Sequence, residues 1–279
     1  MKIHVNSEFE RYPLEPRCET YVRCGVYLDG GTPVFDFDED EDVDIITLHS
    51  DCSGEYDNDG VKYIYAYTYH DNADRKQIGL FRNYIKGKYS DLFSTDGDVR
   101  DFVENGVLKL DDYVSFKDFG AIVNIQSTKQ PSLVGIIRDY LEYYINHIEF
   151  DFTLVKQTYE NVSFNADKAA DALRKARYSE SRVKETIEKV LKDFEALKNT
   201  GKLFEMKKFL PIPIRAGFTD YLVFQSDEEK KTYESLQGVN VLIYDDLITS
   251  GSTVKEVIRY LRAINDKNTL TVFVLVKQH

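Results

Sequence analysis

Apolar and polar residues come in blocks along this chain, and the spacing inside the blocks switches between strand and helix periods. Residues 20–28 and 34–37 are short β-prone runs separated by Asp29-Gly30-Gly31, which predicts a hairpin. Val61–Tyr69, reading VKYIYAYTY, alternates aromatic with small or polar positions, as a strand does when one face is buried. Arg75–Lys88 sets Ile78, Phe81 and Ile85 at helical spacing and carries five basic residues and no acid, the pattern of an amphipathic helix with a basic, solvated face. Gly120–Gln126 reads as a buried strand. Pro131 then suits a first helical turn, and Leu133, Ile136, Ile137, Leu141, Tyr144 and Ile145 fall on one helical face. Phe150–Val155 follows as another strand, completing the strand–helix–strand unit of a parallel sheet.

After Lys156 the rhythm changes. Asn165 stands where it would cap a helix carrying Ala169, Ala170, Leu173 and Ala176. A second helix with Val183, Ile187, Val190, Leu191, Phe194 and Leu197 ends at Asn199-Thr200-Gly201. Residues 157–208 thus form a helical insertion. Phe209–Ile214 (FLPIPI) is β-like, but Pro211 and Pro213 each remove a ladder donor and confine it to a sheet edge or a loop. Asp227–Gln237 reads as a charged, helical, solvated connector. Val239–Tyr244 is a strand, Thr253–Ile264 a helix with Val254, Val257, Ile258, Leu261 and Ile264 on one face, and Thr269–Val276 a closing buried strand. The expected fold class is α/β with a parallel sheet, in which an acidic β-rich region, residues 1–60, precedes the main domain, residues 61–279.

Composition narrows the classes of function. The formal net charge of −12 over 279 residues works against sequence-independent binding to nucleic acid or to an anionic membrane. No apolar run approaches the length of a membrane span, and MKIHVNSEFERY lacks the apolar core of a secretory signal, so a cytoplasmic location is expected. The odd set Cys18, Cys24 and Cys52 is then expected to be reduced. With His49 these residues are the ligand types of a Cys3His zinc site, yet the Cys18–Cys24 gap is wider than usual and only the His49–Cys52 half is compact. Eleven acids and no Lys or Arg between Val34 and Gly60 read as a solvated acidic face. A calcium loop starting at Asp36 fails there, because Glu41 stands where the turn needs Gly and Thr47 where a bidentate Glu belongs.

The chemistry concentrates in Val241–Thr253, VLIYDDLITSGST. Ligands of open α/β sheets sit beyond the carboxyl ends of the strands, the place expected for residues 245–253. Asp245 and Asp246 suit sugar hydroxyls or water on a metal. Thr249, Ser250, Gly251, Ser252 and Thr253 offer hydroxyls, close backbone approach and helix N-terminal amides, all of which favour phosphate. Side by side the two halves describe a ribose 5-phosphate site. A Walker A loop fails because Ser252 stands where Lys is required, and a dinucleotide fingerprint fails because Gly251 is its only glycine.

Position by position, this stretch resembles the phosphoribosyl pyrophosphate signature of the type I phosphoribosyltransferases, and the order of elements is most similar to the ComF-like branch. The resemblance implies the type I phosphoribosyltransferase fold, with Asp245 and Asp246 as catalytic residues on the ribose 2- and 3-hydroxyls and Thr249–Thr253 on the 5-phosphate. Ser127, Thr128, Lys129 and Gln130 occupy the place of the family's pyrophosphate loop, with Lys129 the nearest contact and Lys156 able to reach in from the flexible segment. The implied reaction is displacement of pyrophosphate from ribose C1 by a nitrogenous acceptor, with Mg2+ as cofactor. The implied partners are phosphoribosyl pyrophosphate, that acceptor and, for assembly, a second copy in a homodimer. Thr249 stands where the hypoxanthine and guanine enzymes carry a carboxylate base, which argues against a 6-oxopurine acceptor. Residues 1–60 and 157–214 are the segments placed to form a hood over the base. The loop at Ser127–Gln130 is neither Gly-rich nor Pro-containing, and the insertion is long. A non-catalytic protein of this fold that senses phosphoribosyl pyrophosphate or a nucleotide, or that serves as an accessory in a DNA-linked process as the ComF resemblance implies, is the second expectation, and a sugar-phosphate enzyme of an unrelated family is the third.

Overall fold

The computed structural model describes residues 25–29, 32–36, 46–48, 55–56, 60–69, 75–85, 97–111, 113–126, 133–145, 147–248 and 251–277. In chain order the strands are β1 (Gly25–Asp29), β2 (Thr32–Asp36), β3 (Ile46–Leu48), β4 (Glu55–Tyr56), β5 (Lys62–Tyr69), β6 (Ala121–Ile125), β7 (Phe150–Lys156), β8 (Ser163–Phe164), β9 (Phe218–Thr219), β10 (Leu222–Phe224), β11 (Asn240–Ile248) and β12 (Thr269–Lys277). The helices are α1 (Arg75–Ile85), α2 (Gly97–Asp111), α3 (Leu133–Tyr144), α4 (Ala166–Lys175), α5 (Glu180–Lys198), α6 (Asp227–Ser235) and α7 (Ser252–Ile264). Two compact units divide the chain: Met1–Asp151 with Val239–Thr249 and Thr269–His279, and Phe152–Gly238 with Ser250–Asn268.

The first unit is built on a parallel core, in which β11 lies between β6 and β12 and β12 lies between β11 and β5. Its registers run Val241↔Ala121 to Ile243↔Val123, Asn240↔Thr269 to Ile248↔Lys277, and Thr271↔Lys62 to Lys277↔Thr68. On the far side of β5 the sheet turns antiparallel, continuing through β3 and β1 to β2, while β4 pairs with β5. The protein therefore has a mixed α/β fold with a mostly parallel central sheet. The β1–β2 pair is the antiparallel pairing of the expected hairpin.

Two elements of this unit depart from the pattern read in the sequence. β5 is buried on both faces from Tyr63 to Tyr67, not on one. It carries ladders on both edges, and the Tyr67 ring stacks on Phe102 of α2 at 4.0 Å while its hydroxyl donates to Phe102 O at 2.8 Å. Helix α2 itself went unread, because every side chain from Phe102 to Leu110 is buried and these include Glu104, Asn105 and Lys109. Glu104 accepts a hydrogen bond of 2.5 Å from the Tyr144 hydroxyl on α3. Gly106 lets α2 approach the sheet closely: a Cβ there would lie 2.5 Å from Leu275 Cδ1 and 3.2 Å from Ala66 Cβ.

In the second unit the remainder of β7 pairs antiparallel with β10, and β8 pairs with β9. The two helices read after Lys156 are present as α4 and α5. Asn165 Oδ1 caps α4 by accepting from Lys168 N at 2.9 Å, and α5 buries Val183, Val190 and Phe194. An aromatic cluster of Tyr159, Phe194, Phe204, Phe209 and Phe218 forms the core here, with Phe209 and Phe218 centroids 4.4 Å apart. FLPIPI is not a strand. Its prolines deny it a ladder, and Ile212–Gly217 coils as a 3-10 helix after a cis Leu210–Pro211 bond. Ser226 Oγ caps α6, accepting from Glu229 N at 3.1 Å, but the connector is less solvated than expected because Tyr233 is buried against Phe152 and Phe224. At the C-terminal end of α7 the Asn265 side-chain amide faces three carbonyls, donating to Tyr233 O, Glu234 O and Leu236 O at 3.3, 3.2 and 2.7 Å. No helix among the described residues is long and apolar enough to cross a membrane.

Candidate functional site

Four buried apolar residues, Val241–Tyr244, carry β11 through the middle of the first unit's sheet and deliver Asp245 and Asp246, both half-buried. The strand does not stop there as expected. Its ladder with β12 continues through Asp245↔Val274 and Leu247↔Val276 to Ile248↔Lys277, because the uninterrupted β-former run of β12 supplies partners that far. The ladder with β6 covers Val241–Ile243. The two carboxylates therefore belong to the carboxyl-terminal half of a strand, not to a loop beyond it. Asp246 N donates to Asp245 Oδ1 at 2.9 Å, which turns one carboxylate oxygen back on the chain.

In the second unit Gly251 occupies the cap position of α7 at φ 66°, ψ 4°, the left-handed region that glycine adopts without a Cβ penalty. Ser252 and Thr253 follow, half-buried, in the first turn. The first amides of a helix have no intrahelical acceptor, and the aligned peptide dipoles concentrate positive potential there. This helix start is firmly held. The Tyr221 hydroxyl donates to Ser252 O at 3.1 Å, and one turn on the buried Glu256 accepts from Asp220 N at 2.6 Å and from Arg259 Nε at 2.7 Å. Arg259 also reaches Asp220 Oδ1 at 2.6 Å. Glu256 and Arg259 are i, i+3 neighbours on α7, a spacing visible in the sequence, but Asp220 is a long-range partner that spacing does not reveal.

Of the other residues singled out from sequence, Ser127, Thr128, Lys129, Gln130, Thr249 and Ser250 lie outside the described residues, as do Cys18, Cys24, His49 and Cys52. Lys156 ends β7 opposite Leu222 of β10, half-buried. Among the described residues no group of three His, Cys, Asp or Glu side chains is arranged to hold a metal ion.

A charged row on the α3 side of the first unit was not anticipated. Arg138 of α3 donates through Nε to Glu142 Oε1 at 2.9 Å and pairs through Nη2 with Asp151 at the start of β7. Asn124 of β6 donates to the other Asp151 oxygen at 3.5 Å. Burial pushes the Asp151 carboxyl up to about 6; Arg138 opposes the shift and the negative Glu142 adds to it. Tyr244, immediately before the acid pair, is wholly buried in the field of this row, and its hydroxyl has no hydrogen-bond partner among the described residues. Burial first, and then the charge of Asp151, hold that phenol well above its usual range. The one sequence signal for the row was the i, i+4 spacing of Arg138 and Glu142.

No protein-family model matches the chain, and no curated protein matches it. Among solved structures it is similar to a hypothetical protein from Neisseria gonorrhoeae crystallised with bound ppGpp, at 13% identity and a TM-score of 0.34, covering 66% of this chain and 69% of that one.

Proposed function

We propose that this protein binds phosphoribosyl pyrophosphate and transfers its phosphoribosyl group to a nitrogenous acceptor. The observation that carries the reading is the unbroken run Val241–Thr253, where apolar strand, acid pair, hydroxyl-rich loop and helix start follow one another in the order of the type I phosphoribosyltransferase signature. It is supported by the half-buried state of both carboxylates on a central parallel strand and by the positive φ of Gly251, which puts no side chain beside the first amides of α7.

In this reading Asp245 and Asp246 accept hydrogen bonds from the ribose diol, and Thr249–Thr253 receive the 5-phosphate. Ser127, Thr128 and Lys129 face the pyrophosphate. The C1–oxygen bond to pyrophosphate breaks as the acceptor nitrogen bonds to C1, the nitrogen gives its proton to water, and pyrophosphate departs with the electron pair. Carboxylates near the ribose favour the positive charge that develops on the sugar. Asp245 and Asp246 offer hard oxygen donors, and two of them suit Mg2+, an ion that keeps most of its shell from substrate oxygens and water. When bound, that ion would neutralise the pyrophosphate. A second reading, a non-catalytic sensor of the same ligand or of a nucleotide, is favoured by the composition of Ser127–Gln130, which lacks the glycines or proline common in a pyrophosphate loop.

Calorimetric titration with phosphoribosyl pyrophosphate, with and without Mg2+, followed by pyrophosphate release across a panel of bases, tests both. Binding with release on at least one base is expected. Binding without release on any base selects the sensor, and failure to bind any ribose phosphate removes both readings.

A further inference from the structure

The turn Phe209–Arg215 comprises the FLPIPI segment and the arginine after it. Within the second unit it is clasped across its ends by Arg215 Nε, which donates to Phe209 O at 3.2 Å. Phe209 and Ile214 are buried and anchor the turn in the aromatic core, while Leu210 and Ile212 point outward, 64% and 48% exposed. Arg138, Arg174 and Arg259 each pair with two carboxylates. Arg215 is half-buried and pairs with none among the described residues, so burial alone acts on it and weakens its hold on its proton. In a chain of net charge −12, this half-buried guanidinium has one nitrogen held by a carbonyl and no carboxylate partner among the described residues.

We propose that this turn is a binding site for a small carboxylic acid with an apolar body, the Arg215 guanidinium holding the carboxylate and Leu210 and Ile212 covering the apolar part. The pinned Nε fixes the plane of the fork and leaves the two terminal nitrogens to meet a planar carboxylate. The neighbouring cations are already engaged, since Lys207 and Lys208 both pair with Glu205, at 3.2 and 2.7 Å. One free positive charge matches a monoanion better than a phosphate dianion. Leu210, which follows the carbonyl that Arg215 holds, and Ile212 are exposed aliphatic side chains of the same turn that supply the apolar contact an inorganic anion would not use.

The test uses the full chain with sodium acetate, sodium hexanoate and 1-hexanol as probes, following the Arg215 Nε–H resonance and the Leu210 and Ile212 methyl groups by NMR. Hexanoate is expected to shift these signals saturably and to bind about ten-fold more tightly than acetate, since its additional methylenes are partly covered. Arg215→Gln should weaken hexanoate binding about ten-fold, and Leu210→Ser, at an exposed position, should weaken hexanoate while sparing acetate. Asp246→Asn should change neither, which separates this site from the ribose site. Non-saturating shifts, unchanged hexanoate affinity in Arg215→Gln, or 1-hexanol binding as tightly as hexanoate would each overturn the proposal.

Discussion

Arg138 reaches from α3 to the carboxylate of Asp151 at the start of β7, yet burial outweighs this contact and Asp151 keeps its proton up to about pH 6 instead of the ordinary 3.8. Between those values the folded state binds more protons than the unfolded chain. The contribution of this group to stability is therefore full below about pH 4 and is lost as pH rises through 6, by at most about 3 kcal/mol. Asp151→Asn should flatten that part of the profile. Urea unfolding of both proteins between pH 4 and 7 checks it; parallel profiles would refute the assignment.

Gly106→Ala pits a helix-propensity gain of about 1 kcal/mol against a Cβ placed 2.5 Å from Leu275 Cδ1 and 3.0 Å from Tyr67 Cε2. Overpacking of this kind costs about 1–3 kcal/mol, and Ala66 Cβ at 3.2 Å leaves little room to relax, so a net loss of about 1 kcal/mol is expected. The urea midpoint should fall; an unchanged or raised midpoint contradicts the close approach of α2 to the sheet.

Glu256→Ala removes the acceptor for Asp220 N and one of the two acidic partners of Arg259. Because Glu256 is buried while Arg259 is partly solvated, the expected loss is about 2 kcal/mol, with Glu256→Gln milder. Thermal unfolding should rank wild type above Glu256→Gln above Glu256→Ala.

Gly251→Ala places a Cβ in the left-handed region at φ 66° and should cost about 1 kcal/mol, while Gly251→Asn should cost less. Equal unfolding temperatures for the two variants would show that this conformation is not what selects glycine here.

Asp245→Asn and Asp246→Asn exchange charge-assisted hydrogen bonds to the proposed diol for neutral ones. A loss of about 1.5 kcal/mol corresponds to roughly ten-fold weaker binding of phosphoribosyl pyrophosphate in each variant. Unchanged calorimetric affinity in both would remove the ribose assignment.

How far the sequence could be read depended on whether each signal was local. The apolar faces of α7 and α3, the Asn165 cap and the long β-branched run of β12 are local, and each element formed where its spacing placed it. Helix α2 was illegible because Glu104, Asn105 and Lys109 interrupt its apolar residues and are themselves buried, so no polar face marks its period. Asp246 was expected beyond its strand, since how far β11 extends depends on its partner β12 and not on its own residues. The Asp151 row joins β6, α3 and β7, and only Arg138 and Glu142 lie at a spacing that sequence exposes.

Asn265 carries a consequence for the chemical ageing of this protein. Its one amide nitrogen stands before the carbonyls of Tyr233, Glu234 and Leu236. Deamidation would replace that donor by an anionic oxygen confronting three acceptors in a buried position, turning attraction into repulsion at the junction of α6 and α7. A mass gain of a single dalton at this residue would thus loosen the second unit from within.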